Sequence, residues 1–472
     1  MHFHIIYVRV DVMDILKFID DEKLVKPWFK NPRNWEVWRV FLAVLFGLGI
    51  SRKQAKIFRQ CTKRRKPPTK PPREAWLIVG RRGGKSFISA LVAVFLACFY
   101  DYSRYLAPGE VGTIMLIAQD RKQARVLKNY ISAFLNEVPL LKAMIAKETS
   151  EAIELVNGIN IEIATGNFRA VRGYTVVACL ADEIAFWRSE NSTNPDYEIL
   201  DAIRPGMATI PNAMLICLSS PYAKRGALYE AYKNHYGKDG DVLVWQADTR
   251  TMNPTVSQKV IDRAYERDPV SAQAEYGAQF RSDIESFVIR EAVEAVVILG
   301  RYELPPIPGV RYSAFVDPSG GARDSFTIAI SHEENGTKIL DAIRELKPPF
   351  SPDRVCQEFA VLLKSYWLRE VTGDRYAGQW PQERFERYGI TYKTSEKTKS
   401  QLYQDFLPIL NSGQCELLDN KKMINQIVNL ERRTARSGKD SIDHPPGGFD
   451  DLSNVAAGSF CAAKILRIAG VW

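Results

Sequence analysis

The run "GRRGGKS" (residues 80–86) is the first place where residue types and spacing can do chemistry. Cradling a phosphate chain takes converging backbone amides, a helix start behind them and a cation. Gly80, Gly83 and Gly84 leave the backbone free to turn, and Lys85 carries the charge. Ser86 offers a hydroxyl to Mg2+, while Arg81 and Arg82 put further positive charge in the turn. The spacing departs from G-x-x-x-x-G-K-[ST], because Val79 stands where that pattern has its first glycine. Taken alone, the run also reads as a basic turn between a strand and a helix.

Three later runs bear on that choice. "VVACLADE" (176–183) is an apolar stretch ending in adjacent carboxylates. Asp182 there suits Mg2+ coordination through water, and Glu183 suits polarising the water that attacks a γ-phosphate. A solvated acidic turn is the plain alternative, weakened by a phosphate-type loop upstream in the same alternating region. "AMLICLSSP" (213–221) ends in Ser219 and Ser220, either γ-phosphate sensors or a serine turn. "FRAVRGY" (168–174) offers Arg169 or Arg172 as positive charge at the γ-phosphate, from the same subunit or a neighbour. Nothing local distinguishes either from a surface arginine.

A second set of carboxylates lies in the C-terminal half. Asp317 ends "YSAFVDPSGG", Asp374 ends "LREVTGDRYAG", and Asp450 with Asp451 opens "GGFDDLSNVAAGSFCAAKIL". Carboxylates brought together in this way hold two Mg2+ or Mn2+ ions, one activating water and one stabilising the leaving oxygen of a phosphodiester. The N-terminal dipole of the last helix favours its aspartates. Each aspartate alone is more ordinarily a cap or turn former; their order along the chain is the stronger signal. Asp324, in "GGARDSF", reads as a loop aspartate.

The elements that must position these groups follow from periodicity. Residues 14–60 have helical spacing, and "CTKRRKPPTKPPR" (61–73) is too basic and proline-rich for a helix or central strand. It suits a solvated linker or a DNA-backbone contact. From 75 to 250, "AWLIV", "TIMLIA", "TVVACLA", "AMLICLSS" and "DVLVWQA" alternate with helical patterns, which predicts a parallel sheet covered by helices. Asn157-Gly158 predicts a hairpin in "AIELVNGINIEIAT". Residues 253–282 read as helical. "YELPPIPGVRY" (302–312) punctuates the chain, after which come a strand to Asp317, "FTIAISH", "TKILDAI" and a helix aligning Val355, Phe359, Leu362 and Tyr366. The predicted plan is a helical segment and linker over 1–74, one α/β domain over 75–300, a linker over 301–312 and a second α/β domain over 313–472.

Bulk composition agrees with two or three globular domains: 472 residues, 46% hydrophobic and 25% charged. The formal net charge of +9 suits nucleic acid without requiring it. Seven scattered cysteines, with no C-x-x-C pair, read as small buried hydrophobes in a reducing compartment. No histidine stands at zinc-ligand spacing from a cysteine, so any metal is expected on carboxylates. The apolar run 87–100 is too short to span a membrane, and the N-terminus lacks the basic-then-apolar order of a secretory leader.

Together, "GRRGGKS", "VRGY", "CLADEIAFW", "LSSPYAKRGALYEAY", "NPTVSQKVIDRAYERDPVSAQAEYGAQF", "VDPSGG", "TGDRYAG" and "GGFDDLSNVAAG" resemble, in order, the large subunit of tailed-bacteriophage terminases, over roughly residues 35–465. The resemblance implies a P-loop ATPase domain followed by an RNase H-like α/β nuclease domain. It implies ATP and Mg2+ at Lys85 and Ser86, Glu183 as catalytic base, Ser219 to Pro221 as a coupling motif, and Arg172 as a trans-acting finger. It also implies two Mg2+ or Mn2+ on Asp317, Asp374, Asp450 and Asp451. Double-stranded DNA, a portal protein, a small terminase subunit and a homo-oligomeric ring are the partners it implies, in the cytoplasm of a host cell. A helicase-type ATPase and a non-catalytic DNA-binding scaffold are the alternatives. The family's glutamine-containing adenine motif has no counterpart here; "NWEVWRVF" offers Trp35 and Trp38 instead.

Overall fold

The computed structural model describes residues 13–165, 173–187, 192, 194–321, 324–374, 380–434 and 440–462. Its contacts divide the chain into two units, with the main boundary between Ser282 and Asp283.

The first unit is built on strands β1 (Glu74–Val79), β2 (Gly112–Ala118), β3 (Ile145–Glu148), β4 (Ala152–Leu155), β5 (Ile159–Thr165), β6 (Thr175–Asp182), β7 (Met214–Ser219) and β8 (Val242–Ala247). Their order is β3-β4-β5-β2-β6-β7-β1-β8. From β5 to β8 every pairing is parallel, whereas β3 and β4 join by antiparallel pairing. Near-continuous burial along β1, β2, β6 and β7 is what a sheet covered on both faces requires. The apolar run after the glycine loop is the buried helix Lys85–Phe99, too uniformly apolar to have a solvent face. β7 lies between β1 and β6, so the ends of three adjacent strands bring Val79, Asp182 and Ser219 to one edge. Helices Ile15–Asp20, Glu36–Leu45 and Arg52–Thr62 pack into this same core, so the segment before residue 74 is part of the unit.

The second unit contains β9 (Ile284–Ser286), β10 (Val297–Ile298), β11 (Tyr312–Asp317), β12 (Phe326–Glu334), β13 (Thr337–Leu346), β14 (Glu370–Gly373), β15 (Thr391–Thr394), β16 (Cys415–Leu418), β17 (Glu431–Thr434) and β18 (Asp440–Asp443). Its main sheet runs β10-β16-β13-β12-β11-β14-β15. β11, β12 and β13 are antiparallel neighbours, and β14 and β15 continue parallel to β11, the RNase H-like arrangement. Residues 283–300, expected with the first domain, belong here: β9 pairs with β17, and β10 pairs with β16. Both strands are too short to show a periodicity in sequence. Helix Asp451–Ala462 lies across β11 and β12. It comes so close that a Cβ at Gly458 would stand 2.3 Å from the Phe315 ring. On the helix Pro352–Ser365, Leu363 rather than Leu362 joins Val355 and Phe359 in the buried core. The seven cysteines are unbonded, and six are buried.

Candidate functional sites

In the first unit, β1, between β7 and the edge strand β8, delivers the chain into the glycine loop. The loop carbonyls are tied from behind. Thr249 Oγ1 donates to Arg81 O (2.8 Å), Asn253 Nδ2 to Arg82 O (2.9 Å) and Trp38 Nε1 to Gly83 O (2.8 Å). With carbonyls so held, among the described residues the amides of Arg82, Gly84 and Lys85 meet no protein acceptor. Close packing accounts for two of the glycines: a Cβ at Gly80 would stand 2.4 Å from Thr249 Oγ1, and one at Gly83 2.5 Å from a Val79 methyl. Gly84 takes the left-handed φ of 95°, and Arg82 is forced to 63°. Arg81 pairs with Glu275 at 3.3 Å across an exposed surface.

Lys85 opens the helix and is buried. Its Nζ donates to Val79 O (3.1 Å) and Ser220 Oγ (2.9 Å) and pairs with Glu183 Oε1 at 3.2 Å. Glu183 itself is a non-glycine residue at φ 52°. Its second oxygen accepts from Ser219 Oγ (3.0 Å) and the Ser220 amide (3.1 Å). The two serines therefore fix the carboxylate. Ser86 Oγ donates to Asp182 Oδ2 at 3.2 Å, and Trp187 Nε1 holds the Asp182 carbonyl at 2.9 Å. Asp182 is buried, and its Oδ1 has no hydrogen-bond partner among the described residues. Burial first, then the charge of Glu183, pushes its carboxyl well above the usual range, against the pull of Lys85 and Ser86. An orphaned buried carboxylate oxygen beside a serine hydroxyl fits a divalent cation. Arg169 and Arg172 lie outside the described residues.

In the second unit, Asp317, Asp374, Asp450 and Asp451 line one cavity of 640 Å3, together with Asp324 and Lys399. The sheet explains the convergence. β11 and β14 are parallel neighbours, so their C-terminal ends place Asp317 and Asp374 side by side. Helix Asp451–Ala462 begins over the same edge. Its first amides, Leu452 N and Ser453 N, donate to Gln426 Oε1 (2.8 and 3.1 Å), not to the aspartates. Gln426 thus satisfies two of the first-turn amides, while Asp451 remains in the first turn.

Asn454 Nδ2 donates to Asp317 Oδ2 at 2.8 Å. Burial pushes the Asp317 carboxyl up to about 7, opposed by Asn454 and reinforced by Asp451, Asp374 and Asp450. Asp451 is pushed to about 6 by burial and then by Asp450. Among the described residues, the buried Asp451 Oδ2 and Asn454 Oδ1 have no partner. Crowded acids that resist ionisation, with orphaned oxygens among them, fit divalent metal. Asp450 differs from its neighbour: Lys399 Nζ at 3.0 Å and Tyr403 Oη at 3.0 Å both reach its Oδ2. Lys399 also pairs with Asp443 at 2.6 Å. Asp443, His444 and Asp450 could themselves hold a metal ion, the lysine being already among them. Trp38 was named from sequence only beside the absent adenine motif, and Lys399, Tyr403, Gln426 and Asn454 were not singled out as site residues. The capping box of Thr398 and Gln401, which sets Lys399 at a helix start, was the available signal.

A family model described as "Uncharacterized protein MJ0330, N-terminal P-loop domain" matches residues 12–278. No curated protein matches the chain. Among solved structures, the chain is similar to the HK97 bacteriophage large terminase, at 16% identity and TM-score 0.37, covering 83% of this chain and 91% of that one. It is similar to the large terminase of a thermophilic bacteriophage at 13% identity and TM-score 0.38, covering 89% and 100%. Similarity to the large terminase nuclease of thermophilic phage G20c, at 16% identity and TM-score 0.33, covers 37% and 97%.

Proposed function

This chain belongs to the family of the MJ0330 N-terminal P-loop domain, and from that premise we propose that it is the large subunit of a viral DNA-packaging terminase. In this reading the first unit hydrolyses ATP to translocate double-stranded DNA into a procapsid. The second unit cuts concatemeric DNA. The observation that carries the reading is the pairing, in one chain, of the buried Lys85 in contact with Glu183 at a P-loop with a cavity lined by five aspartates.

In the first unit the loop amides and Lys85 bind the phosphate chain, and Ser86 and Asp182 would hold Mg2+. The Mg2+ supplies neutralising charge to the phosphate oxygens. Glu183, released from Lys85, orients and deprotonates the attacking water, with Ser219 and Ser220 fixing its second oxygen. Arg172 is proposed as the finger. In the second unit Asp317, Asp374, Asp450 and Asp451 would hold two Mg2+ or Mn2+, which would supply water activation and leaving-oxygen stabilisation. Asn454 orients Asp317, while Lys399 and Tyr403 orient Asp450. A portal protein, a small terminase subunit and a ring of identical chains are the proposed partners in a host cell.

A helicase-type motor is disfavoured by the second sheet, whose antiparallel β11-β12-β13 start differs from a parallel motor lobe. The test is a crossed pair of variants in the full chain. Lys85→Ala should abolish ATP hydrolysis and leave Mn2+-dependent nicking; Asp374→Ala should do the reverse. Loss of both activities in both folded variants would refute two separate sites.

A further inference from the structure

We infer that residues 52–73 of the first unit form a preorganised binding strip for the phosphate backbone of duplex DNA, an inference that rests on the chain acting on DNA. The charge distribution points there. Ten lysines and arginines fall in these 22 residues, with no aspartate or glutamate. The rest of the chain has 54 basic against 55 acidic residues, so the strip holds the entire positive excess. A neutral body with one concentrated basic run is an electrostatic footprint, not a generally basic surface.

The structure turns that charge outward. All ten cations but Arg64 have exposed side chains. Lys53 pairs with Glu36 at 2.7 Å; among the described residues the other eight exposed cations meet no carboxylate. Arg64 is the pin. Its guanidinium is buried and donates to the carbonyls of Gly240 (3.3 Å) and Val242. The Gly237 amide holds Thr62 O at 3.0 Å, and Lys63 turns the chain out of the helix Arg52–Thr62 at φ 57°. At the far end, Arg73 N donates to Asp241 O and Arg73 O accepts from Leu215 N, each at 3.0 Å. Between the pins, Pro67, Pro68, Pro71 and Pro72 restrict the backbone. A strip fixed at both ends and stiffened by proline loses little conformational freedom on binding.

What the strip lacks selects the partner. Its aromatic residue, Phe58, is buried, and Ile57 is only partly exposed. A protein partner draws its affinity from apolar and aromatic anchors, and a single strand from aromatic stacking. Phosphates of a duplex need only cations, and read no sequence.

The test uses the full chain, a short blunt duplex and EDTA, so that no cutting occurs. Binding is measured from about 50 to about 200 mM salt, and the slope of log K against log salt is read. The variant Lys63→Ala/Arg65→Ala/Lys66→Ala/Lys70→Ala should flatten that slope by about 3.6, near 0.9 per lost phosphate contact, and weaken binding at least about tenfold. Lys63→Arg/Lys66→Arg/Lys70→Arg should retain the wild-type slope. Circular dichroism and DNA-independent ATP hydrolysis, both unchanged in the alanine variant, exclude misfolding. A wild-type slope in the alanine variant would overturn the strip alone. A wild-type protein with no salt-dependent duplex binding would overturn the DNA reading with it. Polyglutamate binding as tightly as the duplex would make an acidic protein the occupant and overturn the proposal.

Discussion

Asp317 shows how far one residue ties the site to its environment. Its carboxyl holds a proton to about pH 7 in the fold, against about 4 in an unfolded chain. The folded state therefore binds more protons between those values. The stabilisation from the neutral acid is complete below about pH 4 and is lost as pH rises through about 7. Metal-free protein should accordingly lose thermal midpoint across that window. Asp317→Asn should flatten the loss, and Mn2+ at pH 8 should reverse it in the wild type but not in the variant; differential scanning calorimetry measures all three. In the first unit, Glu183→Gln should lower kcat for ATP by about 100-fold or more. Nucleotide binding, followed by fluorescence titration, should survive. These carboxylates were legible in sequence because each ends an apolar strand. Lys399 and Asn454 were not, because their roles arise only when distant segments fold against Asp450 and Asp317.

At the scale of elements, the glycine loop depends on a helix that precedes it. Trp38, in helix Glu36–Leu45, supplies the bond to Gly83 O and is otherwise fully packed. Trp38→Phe should keep most of the packing and lose that one bond. ATP affinity should then weaken by about 1 kcal/mol, read as a KM increase with little change in kcat. An unchanged KM would deny the helix this part. The alternation of strands and helices gave the order of elements directly, and the Asn157-Gly158 turn was readable between β4 and β5. Strand order was not: nothing along the chain says that β7 inserts between β1 and β6, yet that insertion brings Ser219 and Ser220 to Glu183.

For the molecule as a whole, the position of the boundary has a practical consequence. The prolines of residues 302–312 looked like the joint, but β9, β10 and the buried Phe287, Val288, Val293 and Val296 belong to the second core. Phe287 N also donates to Leu430 O, and Leu417 N to Val296 O. Removing four such side chains forfeits about 6–12 kcal/mol, at roughly 1.5–3 each, comparable to the stability of an entire domain. A fragment of residues 283–472 should therefore unfold cooperatively in urea and nick plasmid with Mn2+, whereas one of residues 305–472 should not fold. Equal stability of the two fragments would contradict the assignment of this segment.

The Lys85–Glu183 contact works as an interlock. One ammonium has two claimants, the carboxylate that holds it at 3.2 Å and any phosphate entering the loop. Its other donors are taken by Val79 O and Ser220 Oγ, so a phosphate that binds this lysine competes with Glu183 for it. If the proposed ATPase reading holds, the carboxylate assigned as its base is thereby freed by the same nucleotide it acts on.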